Sequence, residues 1–203
     1  MVDLDTTAPV YILAGGQSKR LGRDKARVMV SGQELICRLV EQVAASRRLV
    51  HLVADKLDRY ADLGLGCLID AQHDAGPLAG LITAMEHRER TSGAGWLLLL
   101  SCDIVRWDDR WAEALMSHAQ RDCSAVAFSR KHVFELSPEP MPALYHSRTL
   151  QLARDGLESG SRSLKSLIQR AGWSDAGPSP ATEWSFNTED ELETALENLR
   201  RST

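Results

Sequence analysis

Val10-Tyr-Ile-Leu13-Ala-Gly-Gly-Gln-Ser-Lys-Arg-Leu-Gly-Arg-Asp-Lys25 runs from a short apolar segment straight into a glycine-rich, basic stretch. The apolar segment reads as a buried first β-strand. Beyond it, Gly15, Gly16 and Gly22 alternate with Lys19, Arg20, Arg23 and Lys25. Glycine lets the backbone take positive φ and approach a ligand closely. Successive N–H groups in such a turn can make an anion-binding concavity, to which lysine and arginine add charge-assisted contacts. A strand feeding a polyphosphate cradle is the reading this composition supports. The bland alternative is a strand-to-helix loop whose cations face water.

Two common phosphate motifs are excluded. The stretch has no G-x-x-x-x-G-K-[ST] and no G-x-G-x-x-G, so it is neither a Walker loop nor a dinucleotide fingerprint.

Working outward, apolar residues recur at helical spacing over Glu34 to Ala45, and Leu49 to Ala54 has the composition of a second strand. Asp55 to Leu63 reads as a charged helical turn, and Gly66 to Ile69 as a third strand ending at Asp70. Gly76-Pro-Leu-Ala-Gly80 reads as a tight turn opening a helix from Leu81 to Arg90. Trp96 to Leu100 is almost unbroken apolar sequence, as expected of a strand buried on both faces of a parallel sheet, and it ends in Ser101-Cys102-Asp103. A helix over Asp108 to Gln120 and a strand over Ser124 to Phe128 follow. The alternation predicts an α/β fold, a three-layer sandwich with a mostly parallel sheet. In such sheets ligands bind beyond the carboxyl ends of the strands. The glycine stretch, Asp70 and Asp103 would share that rim.

After Ser129 the alternation weakens. Pro138, Pro140 and Pro142 forbid helix and predict an extended segment. A polar loop containing Arg162 precedes an apolar-periodic helix at Leu164, Leu167 and Ile168, and Gly177-Pro-Ser-Pro180 is a second breaker. Thr188 and Glu191 form a capping box for a last helix closing at Arg200 and Arg201. The chain is expected to form a single domain over 1–203, with a nucleotide-binding half over 1–129 and an acceptor-binding, closing half over 130–203.

Composition narrows the partners. The 203 residues carry a formal charge of −4, with 43% apolar and 26% charged residues. That balance argues against non-specific nucleic-acid binding, which shows as a basic footprint. Cys37, Cys67, Cys102 and Cys123 form no C-x-x-C pair, so they are expected to be reduced, buried thiols. The histidines lack metal-ligand spacing. Asp3 and Asp5, without an apolar core, argue against a signal peptide, and no apolar run reaches membrane-spanning length. A cytoplasmic protein without a membrane or nucleic-acid partner is expected.

A phosphate cradle beside rim carboxylates suggests a metal–nucleotide site. Magnesium needs only one or two carboxylates besides substrate phosphates, and Asp103 is the preferred ligand, Asp70 the less specific one. A strand-end aspartate can equally be a turn or cap residue.

The combination Leu13-Ala-Gly-Gly-x-Ser-x-Arg-x-Gly-x-Asp-Lys25, Gly76-Pro-Leu-Ala-Gly80 and Cys102-Asp103 resembles the molybdenum cofactor guanylyltransferase family, the molybdopterin-guanine dinucleotide biosynthesis protein A family. Arg162-Ser-Leu164 and Phe186-Asn-Thr-Glu-Asp-Glu-Leu192 resemble its later motifs. The resemblance implies a nucleotide-diphospho-sugar transferase (Rossmann-like) architecture. It implies transfer of GMP from GTP to the terminal phosphate of molybdopterin, releasing pyrophosphate, with Mg²⁺ as cofactor. By the same resemblance Leu13, Ala14, Gly15 and Gly16 would contact nucleotide, and Arg20 would hold the β- and γ-phosphates. Lys25 would neutralise the α-phosphate and Asp103 would bind Mg²⁺. Asp70 and Gly80 would define the guanine or ribose pocket, and Arg162 and Asn187 would face the pterin phosphate. Proteins that deliver or accept the cofactor are further expected partners.

The chain departs from the family pattern at four places. Val105 stands where proline is usual after the metal aspartate, and Met141-Pro142 stands for a His-Pro pair. Ser185 replaces an asparagine, and so does Val53 after the second strand. The alternatives are a related transferase using CTP or a sugar phosphate, or a non-catalytic GTP-binding protein in cofactor delivery.

Overall fold

The computed structural model describes residues 8–15, 21–70, 75–120, 122–132 and 135–202. Among them, seven strands form one sheet: β1 (Val10–Leu13), β4 (Val50–Ala54), β5 (Cys67–Ile69), β6 (Trp96–Ser101), β7 (Ala125–His132), β8 (Glu135–His146) and β9 (Trp173–Pro178). A separate two-stranded ribbon joins β2 (Met29–Val30) to β3 (Gln33–Glu34). The order across the large sheet is β5-β4-β1-β6-β8-β7-β9. β1 lies at its middle, parallel to β4 and β6, and β8 alone runs antiparallel to its neighbours. The expected mostly parallel α/β sheet is what forms.

Strand β6 shows why both faces must be covered. Leu98 and Leu100 join the layer of α1 (Leu35–Ala45) and α3 (Arg110–Ser117). Leu97 and Leu99 point to the opposite layer, built by α2 (Pro77–Ser92), α4 (Leu150–Glu158) and α5 (Leu164–Ala171). Alternation along a pleated strand sends successive side chains to opposite faces, so an unbroken apolar run needs two helical layers. A third, smaller cluster seats α6 (Glu189–Arg201). Its Leu192, Ala195 and Leu199 pack on Leu21, Val28, Val30, Val105 and Phe186. This helix therefore lies over the exit of the glycine stretch.

Several boundaries differ from those the sequence suggests, each for a physical reason. Helix α2 begins at Pro77, not Leu81; proline suits the first helical turn, where its missing N–H would be unpaired anyway. Gly76 before it has φ 77°, the left-handed region glycine tolerates. Helix α3 is shorter than expected, Arg110–Ser117, and β7 extends to His132. The proline-rich segment is extended, as expected, and forms an inner strand of the sheet. Its register against β7 jumps from Ala127↔Ala143 to Ser129↔Pro138, so the residues around Pro140 and Pro142 fall in an irregularity that omits ladder bonds. Sequence patterning also misses β9, which carries Gly177 and Pro178 at the sheet edge, where proline is tolerated. Helix α4 is likewise missed. All four cysteines are free, but only Cys67 is fully buried; Cys37, Cys102 and Cys123 are partly exposed, short of the buried state expected.

Candidate active site

The carboxyl ends of β1 and β6 meet at the rim. Leu13 pairs in register with Ser101, and the Cys102 N–H donates to the Leu13 carbonyl at 3.2 Å. The Ala14 N–H donates to the Val53 carbonyl at 2.8 Å, which ties the start of the glycine stretch to β4 as well. Gly15 then passes so close to β4 that a Cβ would sit 3.0 Å from the Asp55 nitrogen and 3.2 Å from the Ala54 Cα. Here glycine is required by close backbone approach. Gly16 and Arg20 lie outside the described residues.

The stretch re-enters at Asp24, which caps a single 3₁₀ turn, Lys25–Arg27, by accepting the Ala26 N–H at 3.0 Å. That turn aims Lys25 at the end of β6. The Lys25 ammonium lies 3.3 Å from Asp103 Oδ2, and it donates to the Phe186 carbonyl at 2.8 Å and to Asn187 Oδ1 at 2.9 Å. It also stands 5.6 Å from the centroid of the Phe186 ring. Both partners of the ion pair are mostly buried, their side chains 14% and 16% exposed. The other Asp103 oxygen accepts the Ser101 hydroxyl. Asp103 is thus a carboxylate held from two sides with part of its surface still reachable.

Asn187 owes its place to helix α6. Its backbone N–H and that of Thr188 both donate to the Glu191 carboxylate, while Thr188 Oγ1 accepts the Glu191 N–H at 3.2 Å. The capping box read from sequence is present, and it presents Asn187 to Lys25 at the same time.

Two of the four departures, Val105 and Ser185, lie on facing segments. Ile104 bridges Ser185, and the Val105 N–H donates to the Trp184 carbonyl at 2.8 Å. A proline at 105 has no N–H to offer. Val105 therefore zips the 103–105 turn to the 184–187 segment and delivers Asn187 beside Asp103.

The remaining expected residues gather elsewhere on the rim. The Asp70 N–H donates to the Ala54 carbonyl at 2.8 Å. Its side chain lines a cavity of about 260 Å³, with Ala79, Thr83 and Glu86 of α2 on one wall and Arg154 and Glu158 of α4 on the other. Gly80 faces the strand: a Cβ there would meet Leu13 Cδ2 at 2.8 Å. Its role is to let α2 lie close on β1. Arg162 packs its Cβ against Gly76, where an added methyl would lie 3.2 Å away. Arg162 therefore belongs to the start of α2, and Asn187 to Lys25 and Asp103.

Sequence reasoning missed what braces the site. Arg59 donates to Asp24 Oδ2 through Nη2 at 2.8 Å, and Tyr60, fully buried, donates its hydroxyl to the Ala14 carbonyl at 2.8 Å. The available signal was the i,i+4 pair Asp55–Arg59 in a segment otherwise read only as a charged turn. The thiol beside the site is a poor nucleophile: burial, then the Asp103 charge, push Cys102 up to about 12. Among the described residues no group of three or more His, Cys, Asp or Glu is placed to hold a metal, and no helix is long and apolar enough to cross a membrane.

This geometry can be set beside known proteins. The model of the MobA-like NTP transferase domain matches residues 10–175, which hold the glycine stretch, Lys25, Asp103 and Arg162. The chain belongs to that family. Relatives include a probable molybdenum cofactor guanylyltransferase from Opitutus terrae, 30% identical over 158 residues, covering 77% of this chain and 75% of that protein. Another of the same description, from Nostoc sp., is 29% identical and covers 89% and 86%. Among solved structures, molybdopterin-guanine dinucleotide biosynthesis protein A from Archaeoglobus fulgidus aligns with TM-score 0.71 at 20% identity, covering 95% of this chain and 99% of that one. A 4-diphosphocytidyl-2C-methyl-D-erythritol synthase from Anaerococcus prevotii aligns with TM-score 0.72 at 12% identity, covering 98% of each. At those identities the structural likenesses show the fold alone: the nucleotide-diphospho-sugar transferase architecture.

Proposed function

We propose that this MobA-like NTP transferase moves GMP from GTP to the terminal phosphate of molybdopterin, giving molybdopterin guanine dinucleotide and pyrophosphate. The observation that carries the proposal is the junction of Lys25, Asp103 and Asn187 at the carboxyl edge of β1 and β6. The names of the relatives from Opitutus terrae and Nostoc support the choice of acceptor and nucleotide.

In this reaction an acceptor phosphate oxygen forms a bond to the α-phosphorus while the bond to the bridging oxygen of pyrophosphate breaks. The attacking oxygen is already anionic, so no strong general base is needed. Alignment and neutralisation of charge carry the catalysis. Lys25 supplies a fixed positive charge at the end of β1, oriented by Asp103, Asn187 and the Phe186 carbonyl. Arg20 would hold the leaving phosphates, and the Gly15 and Gly16 backbone would receive the nucleotide, with Leu13 and Ala14 anchoring it through the sheet. Asp70 and the start of α2 before Gly80 would flank the base. Asn187 would meet the acceptor phosphate beside Lys25, and Arg162 would reach it from the far side.

Asp103 fits a magnesium site chemically. It is an oxygen donor at the rim, partly exposed, with lone pairs left after its bonds to Lys25 and Ser101, and magnesium takes its remaining ligands from phosphates and water. Bound there, Mg²⁺ would supply Lewis-acid stabilisation of the phosphate charge. A cytoplasmic setting suits these substrates.

The test is mass analysis of the pterin after incubation with Mg-GTP or Mg-CTP. A product heavier by GMP, with pyrophosphate released in equal amount, is expected from GTP only. A CMP adduct would replace guanylyl by cytidylyl transfer, and GTP binding without either product would leave a binding protein.

A further inference from the structure

Both ends of the glycine stretch fasten to one short segment that the proposed reaction does not use, residues 55–62. On the entry side, the Tyr60 hydroxyl donates to the Ala14 carbonyl at 2.8 Å. On the exit side, Arg59 reaches Asp24 Oδ2 through Nη2 at 2.8 Å and Nε at 3.2 Å. The two sides are joined, because Arg59 Nε also donates to the Tyr60 hydroxyl oxygen at 3.1 Å. Arg59 is in turn paired with Asp55, whose backbone nitrogen is the close neighbour that requires glycine at 15. The turn that carries Lys25 is held from its other end as well. Arg27 donates to the Arg59 carbonyl at 2.8 Å and grips the Asp62 carboxylate at 2.7 and 2.8 Å.

We propose that Arg59 and Tyr60 are positioning residues of the transferase site, acting through Asp24 and Ala14 to set where the Lys25 ammonium stands opposite Asp103. The inference rests on the functional reading above. Its physical basis is that a three-residue 3₁₀ turn has too few internal bonds to fix a lysine by itself. The Asp24 cap defines the start of the turn through Oδ1, and a donor on Oδ2 keeps that carboxylate from rotating. Arg59 pins it with a planar, forked donor, which lysine cannot imitate. Tyr60 transmits the same restraint to the strand end. Being fully buried, it has no water to replace the bond to Ala14. Small displacements of such a group cost large factors in rate, whereas binding of nucleotide elsewhere along the cradle need not change.

Arg59→Gln, Tyr60→Phe and Lys25→Ala, with the double variants, separate this role from a merely structural one. For Arg59→Gln we expect kcat to fall about 10- to 100-fold with KM for GTP changed less than about threefold. In the Lys25→Ala background the same change should cost less than about threefold, because the group it positions is gone. A loss equal in both backgrounds overturns the proposal. Tyr60→Phe, which removes one oxygen atom, carries the comparison if Arg59→Gln loses its circular dichroism. Amide exchange at Ala26 and Val28, read on the same proteins, keeps the test independent of the reaction assigned. Faster exchange at both amides in Arg59→Gln and Tyr60→Phe is expected, and unchanged exchange overturns the proposal. If the wild-type protein transfers neither GMP nor CMP, the functional reading fails, and the exchange rates still decide the positioning role.

Discussion

The two corners of the rim are built by different means. At the Lys25 corner, polar groups converge: an ammonium, a carboxylate, a hydroxyl, a carboxamide and a carbonyl are bonded to one another beside the carboxyl end of β6. At the Gly76–Gly80 corner the contacts are steric, as α2 approaches Leu13 and Arg162 where side chains are missing. The first corner fixes the positions of charges. The second fixes a shape. Loss of one polar group should therefore act on rate at the first corner, and added bulk should act on packing at the second.

The sharpest way to break this contrast is at Asp103. Asp103→Ala removes the oxygen donor proposed for Mg²⁺ and leaves the mostly buried Lys25 ammonium without the Asp103 carboxylate. Transfer activity is expected to vanish, and any residual rate should be indifferent to Mg²⁺; a magnesium titration of the variant reads this directly. Lys25→Ala should keep the fold and lower turnover roughly 10²–10³-fold, the scale of one preorganised electrostatic contact. Turnover close to wild type would remove Lys25 from the chemistry.

Gly15 lies between the corners and tests whether close approach is as strict as polar contact. Its Cβ would press on the backbone of Ala54 and Asp55, which belong to strand β4 and its exit and cannot rotate away. Gly15→Ala is expected to lower stability by about 1–3 kcal/mol, the usual cost of overpacking, measured as a shift of the urea midpoint.

How much of this was legible follows the same division. Strand β6 was legible because an unbroken apolar run has few other fates, and the β1-to-Lys25 stretch because strand, glycine and cation follow in sequence. The Thr188–Glu191 box is local, so it could be read three residues apart. The pairing of Lys25 with Phe186 and Asn187 joins positions about 160 residues apart, and no spacing rule reports that. Arg59 and Tyr60 were opaque for a related reason. Their partners Asp24 and Ala14 lie on another strand's loop, and the short segment between β4 and β5 has no period to flag it. The β8 segment read as extended, but its place inside the sheet, and β9 altogether, were hidden because their prolines argue locally against ladder pairing. The irregular register around Pro140 and the edge position of Pro178 remove that objection only once the neighbours are known.

Acid should affect neither corner first. His51 is held below its ordinary 6.5 by burial and then by the neighbouring His87 charge, and His87 by burial and then Arg90. His146 falls to about 4, through burial and then the charges of Arg148 and Arg88. All three belong to the α2 side of the sheet or its end, where Tyr11 bonds His87 at 2.8 Å and His146 Nδ1 accepts the Arg148 N–H at 3.1 Å. Because the folded values lie below 6.5, the unfolded chain binds more protons between about 4 and 6.5. Stability is then complete above pH 6.5 and declines as pH falls toward 4. A fall in Tm of a few degrees between pH 7 and pH 5 is expected, with His146→Asn flattening part of the slope. A flat profile over that range would show that these imidazoles are accommodated in their charged form.

The smallest effect separates the two glycines most cleanly. A Cβ on Gly80 would come nearer its neighbour than one on Gly15, 2.8 Å against 3.0 Å, yet the neighbour is Leu13 Cδ2, the far end of a side chain. A leucine methyl can move by a small χ change, whereas the Asp55 nitrogen cannot move without dragging β4. Alanine at 80 also gains about 1 kcal/mol of helix propensity over glycine within α2, which offsets part of the strain. Gly80→Ala should therefore lie within about 1 kcal/mol of wild type in urea unfolding, while Gly15→Ala does not. If nucleotide affinity nevertheless drops in Gly80→Ala at unchanged stability, the displaced Leu13 side chain is part of the wall on which the nucleotide rests. If both stability and affinity hold, the space between α2 and β1 is packing alone.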